Sequence, residues 1–201
     1  ILEVETDGTM SPALAVQTAI EILQKHFERI GEGLKDVKEE EPKEEKKAPK
    51  EKAENAGFKV EIIGPNTDEE YIGKKGTKLR ADKSINNALA NDYIGLVIQG
   101  GWAPDKMRMN QNMVKFVEDI NAKNKPIACI CHGGSMLVEA GIVRGRRLTS
   151  YASIRTDLIN AGARWFDKEV MVDGNLITSR TPADLPAFCA EFLKALSLVE
   201  V

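Results

Sequence analysis

Residues 128–137 read ACICHGGSML, so Cys131 directly follows an apolar run and directly precedes His132 and the pair Gly133-Gly134. A cysteine at such a junction has the makings of a nucleophile, because the thiolate attacks carbonyl carbon readily and a histidine can move the proton. A strand-to-helix corner projects its side chain outward, and small residues after it let strand and helix approach closely. The start of the following helix and a hydrogen-bonding neighbour would both favour the thiolate. A second glycine pair, Gly100-Gly101, ends another apolar run, IGLVIQ. Backbone groups at Gly100, Gly101 and Gly133 are candidate site groups, and the amides of Gly101 and His132 could serve as an oxyanion hole. The competing reading makes Cys131 a small buried residue beside a chance histidine.

The other two cysteines read as buried structural thiols, Cys129 on the strand and Cys189 on the apolar side of the last helix. Zinc at Cys129, Cys131 and His132 is disfavoured because alternate strand residues point to opposite faces. No metal and no cofactor is expected.

Three zones must position these groups. Residues 1–35 read as a strand, ILEVET, a turn at Asp7-Gly8, and an amphipathic helix opening at Ser11-Pro12, with Leu14, Ala15, Ala19, Ile22, Leu23, Phe27 and Ile30 at helical spacing. Residues 36–56 are blocks of Glu and Lys broken by Pro42 and Pro49, a charged linker with too little apolar surface to offset chain entropy. Residues 57–201 alternate strand and helix patterns: strands at FKVEIIG, IGLVIQ (94–99), PIACI and Leu148–Tyr151, and helices over Met109–Asn121, Gly134–Ala140 and Ser153–Ala161. A hairpin is predicted at EVMVDGNLITS around Asp173-Gly174, and Pro182 opens a last helix ending at Leu196. This alternation predicts an α/β fold with a mainly parallel sheet and helices on both faces. In such sheets ligands sit at the carboxyl ends of strands, where both glycine pairs fall.

Composition narrows the classes further. The chain has 201 residues, 42% hydrophobic, enough for one ordinary core. A formal net charge of −3 offers no footprint for nucleic acid. No apolar run approaches the roughly 18 residues of a membrane span, and no secretory signal pattern opens the sequence. Three cysteines without framework spacing point to a reducing cytoplasm. Starting at Ile1, the sequence reads as a fragment or a processed product.

The stretches IQGGWAPD, IACICHGGSMLVEAGIVRGRRLTSY and DLINAGARWFDKEVMVDGNLITSRTPADLPAF together resemble the PfpI-type family of intracellular cysteine proteases and deglycases, across nearly all of residues 57–196. The resemblance implies a flavodoxin-like three-layer sandwich with Cys131 as nucleophile, His132 beside it and Gly100-Gly101 against the sulfur. It also implies a homo-oligomer, and activity on small peptides or on glyoxal- and methylglyoxal-derived adducts; catalytically silent stress proteins belong to the same superfamily.

The sequence departs from that pattern at its start. The family's first strand and helix carry a glutamate that contacts the cysteine, whereas the similarity here begins at AGFKVEIIG, the family's second strand. In one account residues 1–6 replace the missing strand, with no glutamate in the family's position. In the other, favoured for its origin, residues 1–35 are a separate piece that resembles the strand-turn-helix closing the alpha-type subunit of RNA polymerase, called D in archaea, and would contact a polymerase partner. The function expected is a cysteine-dependent hydrolase or deglycase. The alternatives are a catalytically weak stress or redox-sensing member, or a polymerase-subunit fragment fused to a PfpI-like domain. Outside the main pair, Trp102 and Arg108 read as packing or surface residues that could also line the site or an oligomer contact. Trp165 reads as core, Arg180 and Asp184 as structural groups at the last helix, and His26 as a polar-face residue.

Overall fold

The computed structural model describes residue 54, residues 56–73 and residues 78–199. All of them belong to one compact unit, residues 46–201. The strand and helix read in residues 1–35, with their polymerase-like pattern, and nearly all of the charged linker lie outside the described residues.

Among the described residues, ten strands and five α-helices follow in chain order. They are β1 (Ile63–Gly64), β2 (Glu70–Ile72), β3 (Lys78–Arg80), β4 (Lys83–Ser84), β5 (Leu96–Ile98), α1 (Ala103–Met107), α2 (Gln111–Ala122), β6 (Ile127–Ile130) and α3 (Gly134–Glu139). After them come β7 (Arg147–Leu148), α4 (Arg155–Asn160), β8 (Arg164–Trp165), β9 (Val170–Asp173), β10 (Leu176–Ser179) and α5 (Leu185–Leu196). The main sheet has the order β5-β6-β10-β9, parallel through the first three strands and antiparallel at the β10-β9 hairpin. Short parallel pairs form between β1 and β4 and between β7 and β8, and β2-β3 is an antiparallel hairpin.

The period-2 alternation of the strands sorts their side chains into two cores, one on each face. Ile127 and Cys129 of β6, Leu176 of β10 and Ile98 of β5 pack with Met113, Phe116, Val117 and Ile120 of α2, Met136 and Leu137 of α3, and Leu158 of α4. Ala128, Ile130 and Ile177 face the opposite way, onto Phe188, Cys189, Phe192 and Leu196 of α5. That arrangement is the flavodoxin-like three-layer sandwich. With all four of its residues buried, β6 reads as an unbroken apolar run for this reason. Each of its isoleucines contributes about 1.5–3 kcal/mol of burial.

Local chemistry explains most boundaries. Asn110 caps α2 by accepting from the backbone N–H groups of Asn112 and Met113. Gly174 opens the β9-β10 turn at φ +57°, the positive value that a two-residue hairpin turn asks of its first central residue. The last helix begins as a 3₁₀ turn at Pro182–Asp184, closed by a capping box between Thr181 and Asp184. Arg180 grips the same carboxylate through Nε and Nη2, at 3.0 and 3.1 Å, and holds Asp184 below the usual carboxylate range. Arg180 and Asp184 are thus structural groups.

Several expected elements are shorter than their sequence patterns. The strand at FKVEIIG reduces to Ile63–Gly64, the two residues with a ladder partner in β4. The strand expected over Leu148–Tyr151 is Arg147–Leu148. Beyond it the backbone turns to other partners, with Thr149 N–H donating to Thr178 Oγ1 and Tyr151 N–H to the Cys131 carbonyl. The helix read at Ser153–Ala161 begins as a 3₁₀ turn, Ala152–Ile154, before α4. Helix α1 and the β2-β3 hairpin have no counterpart among the elements expected from sequence.

Candidate active site

Strand β6 delivers its last residue, Ile130, to the sheet's carboxyl end, and the chain turns there through a 3₁₀ turn, Cys131–Gly133, into α3. Cys131 takes φ +62°, the left-handed region that side chains avoid. The other non-glycine residue of this kind among the described residues is Asn124, a type that tolerates it. Such backbone costs about 1–3 kcal/mol and persists where surrounding structure over-determines it.

The surroundings here are close. A methyl group built on Gly100 would lie 2.5 Å from Cys131 Cβ and 3.1 Å from its Sγ, so the first glycine of the Gly100-Gly101 pair forms a wall against the sulfur. Gly101 takes φ +76°, with open space where its side chain would be. Gly133 is pressed onto β5 and β6: a methyl there would meet Cys129 Sγ at 2.8 Å and the Ile98 carbonyl oxygen at 2.9 Å. Gly133 therefore permits close strand-helix packing, while Gly100 and Gly101 border the nucleophile. Two hydrogen bonds tie the corner down. Tyr151 N–H donates to the Cys131 carbonyl at 3.3 Å, and Ser135 Oγ donates to the His132 carbonyl at 2.9 Å.

His132 does face the sulfur. Its Nδ1 lies 3.2 Å from Cys131 Sγ, and its Nε2 lies 3.1 Å from Ser153 Oγ. The ring is flanked by Tyr151, centroids 4.9 Å apart, and by Trp102, stacked at 6.5 Å and 21°. Cys131 and His132 are partly buried, while Trp102 is 77% exposed and Tyr151 42% exposed. The site thus has one open, aromatic side. Among the described residues no carboxylate is hydrogen-bonded to Cys131 or His132. Ser153 and the Tyr151 flank have no signal in the sequence, since nothing in a lone serine 21 residues downstream marks it as a ring partner.

The remaining candidates stand apart from the sulfur. Cys129, 2% exposed, has its thiol pushed up far beyond its ordinary value by burial, and Cys189 is buried on the core side of α5; neither is in a disulfide. Arg108 donates through Nε and Nη2 to Glu139 Oε2 on α3, at 3.0 and 2.8 Å, which braces the helix behind the corner. Trp165 is half-buried against the larger core, with Nε1 donating to Ser150 Oγ. An open cleft of about 460 Å³, lined by Arg108, Ser135, Ile154 and Asp157 among others, does not include Cys131 or His132. Among the described residues no helix is long and apolar enough to cross a membrane.

A DJ-1/PfpI family model matches residues 37–195, starting within the charged run and upstream of residue 57. The putative cysteine protease YraA of Bacillus subtilis is 42% identical over 143 residues, 71% of this chain and 85% of that protein. Deglycase PfpI of Pyrococcus furiosus is 43% identical over 124 residues, 62% of this chain and 75% of that protein. Among solved structures, a two-domain protein from Anabaena variabilis, with DJ-1/ThiJ/PfpI-like and ferritin-like domains, is similar with a TM-score of 0.73 and 41% identity. That similarity covers 74% of this chain and 43% of the two-domain one. Schizosaccharomyces pombe DJ-1, at 22% identity and TM-score 0.68, covers 76% of this chain and 84% of its own, a likeness of fold alone.

Proposed function

The chain belongs to the DJ-1/PfpI family, and from that premise we propose that it is a cysteine-dependent hydrolase or deglycase whose nucleophile is Cys131. The observation that carries the reading is a cysteine in left-handed backbone at a strand-helix corner, its sulfur 3.2 Å from an imidazole nitrogen. The proposed substrates are small peptides or glyoxal-derived adducts, and two relatives are named a putative cysteine protease and a deglycase.

The geometry supports a covalent route. On a peptide, the thiol proton passes to His132 Nδ1, and the sulfur attacks the carbonyl carbon of the scissile amide. The carbonyl π pair moves onto oxygen, and backbone amides at Gly101 and His132 receive that oxyanion. Collapse expels the leaving amine, which takes the proton from His132 and leaves a thioester on Cys131. Water then attacks the thioester with His132 as base, which releases the acid and restores the thiol. A homo-oligomer in a reducing cytoplasm is part of the same proposal, as is a polymerase contact through residues 1–35 for the fused-fragment reading.

A second reading, a slow stress or redox-sensing protein, is favoured by one observation: no carboxylate among the described residues bonds to the Cys131-His132 pair. Turnover separates the two. Cys131→Ser is expected to abolish hydrolysis of methylglyoxal-derived adducts and of short fluorogenic peptides, with the circular dichroism spectrum unchanged. Activity retained in that variant overturns the nucleophile assignment. A wild-type chain that oxidises at Cys131 without turning over either substrate selects the second reading.

A further inference from the structure

We propose that Ser153 is a positioning residue that sets the tautomer of His132, keeping the proton on Nε2 so that the Nδ1 lone pair faces Cys131. The proposal rests on the reading of Cys131 and His132 as the working pair. Its motive is that, among the described residues, each ring nitrogen has one protein partner: Cys131 Sγ at 3.2 Å from Nδ1 and Ser153 Oγ at 3.1 Å from Nε2. A neutral imidazole carries one N–H and one lone pair, and the partner of each nitrogen decides which is which.

Ser153 is held in place from both sides. Tyr151, two residues before it, donates its N–H to the carbonyl of Cys131 itself. Ile154, the residue after it, packs its Cδ1 over Gly134, 3.1 Å from where a methyl on that glycine would sit. The 3₁₀ turn Ala152–Ile154 is thereby pinned to the corner it serves. The neighbouring Ser135 is not an alternative partner, because its hydroxyl is engaged by the His132 carbonyl. The Tyr151 and Trp102 rings flank the imidazole.

With Nε2–H donating to Ser153 Oγ, Nδ1 is free to take the thiol proton. When it does, the Nε2–H bond stays in place and becomes charge-assisted. A hydroxyl also offers one donor and two acceptor positions, so it accepts from the ring without adding the negative charge a carboxylate would bring. Among the described residues, the titratable groups against the ring are the Cys131 thiol and the Tyr151 phenol. Ser153 is exposed, so water partly replaces it, and its removal weakens the arrangement rather than abolishing it.

The test is nitrogen NMR of the histidine rings in the full-length chain, which has two, His26 and His132. His26→Gln assigns them. At about pH 9 in the Cys131→Ser background no thiolate is present and a histidine ring is normally neutral. There, His132 is expected to carry its proton on Nε2, to become a mixture of tautomers in Ser153→Ala, and to return to Nε2 in Ser153→Thr. In the chain with Cys131 intact, Ser153→Ala lowers kcat roughly 3- to 10-fold, the worth of one ordinary hydrogen bond. KM stays within about 2-fold and Ser153→Thr recovers the rate. A proton on Nδ1 in the parent background, or a tautomer unmoved by Ser153→Ala, overturns the proposal. Turnover surviving Cys131→Ser overturns the nucleophile reading instead, and the ring measurement still decides the role of Ser153.

Discussion

Gly100→Ala puts a methyl group into the wall behind the nucleophile. Its carbon would lie 2.5 Å from Cys131 Cβ and 3.1 Å from both Cys131 Sγ and the Ile130 carbonyl oxygen. Carbon atoms rest at about 3.5–4.0 Å, so Cβ and methyl must separate by roughly 1 Å. Neither obstacle is a flexible tip, since one is the first side-chain carbon of Cys131 and the other is backbone of β6, a strand buried throughout. Relief therefore comes from moving the corner. A displacement of about 1 Å at a reacting group costs on the order of 100-fold in rate. Overpacking of this kind also costs about 1–3 kcal/mol in stability. The assay is kcat/KM on a methylglyoxal-derived adduct, read beside a urea melt. Gly174→Ala serves as the control. It forces a methyl into positive φ at the β9-β10 turn, costs a similar 1–2 kcal/mol or so, and should leave turnover unchanged. If Gly100→Ala turns over within twofold of the parent, the glycine is not the wall that sets the sulfur's place, and the reasoning fails.

Native-state alkylation should add one iodoacetamide group per chain, at Cys131, because Cys129 and Cys189 are buried in the two cores; two adducts by mass spectrometry before unfolding would contradict the packing. Asp184, 7% exposed and held down chiefly by Arg180, has a folded-state value below that of the unfolded chain. Its contribution is therefore full above about pH 4 and is lost as pH falls through the folded value. Asp184→Asn should lower the urea midpoint at neutral pH by an equivalent of about 0.5–2 kcal/mol and flatten its decline below pH ~4, and an unchanged acid limb would sink that account.

The parts of the fold legible in sequence are those whose burial is one-sided or total. PIACI shows as a strand because all four residues of β6 face a core, and α2 shows because its buried residues repeat at helical spacing. The β9-β10 hairpin declares itself through Asp173-Gly174. Helix α1 leaves little trace: it is five residues long, with one buried residue, Pro104. The β2-β3 hairpin exposes most of its side chains and so lacks a strong alternation. FKVEIIG illustrates a different limit, since a strand's length depends on partners that its own residues cannot specify. At the site, Cys131 and Gly100 are visible as a corner and a glycine pair. Ser153 becomes a candidate only when the chain folds back through the Tyr151-Cys131 hydrogen bond.

That same fold-back explains how the strained corner is held. Left-handed backbone at Cys131 would relax if the residue were fastened only to its neighbours in sequence. It is fastened instead from three directions. Gly100 closes the space behind the sulfur, β6 fixes the incoming chain between two cores, and Tyr151 N–H clasps the Cys131 carbonyl. Each contact comes from a different part of the sequence, so losing one leaves two, and the corner yields by degrees rather than all at once. The segment that holds the nucleophile's backbone also carries Ser153 to the histidine, so displacement of residues 149–154 would disturb the sulfur and the imidazole together. Placement of the nucleophile and orientation of its proton acceptor are therefore one structural property, set by how that loop seats on the corner.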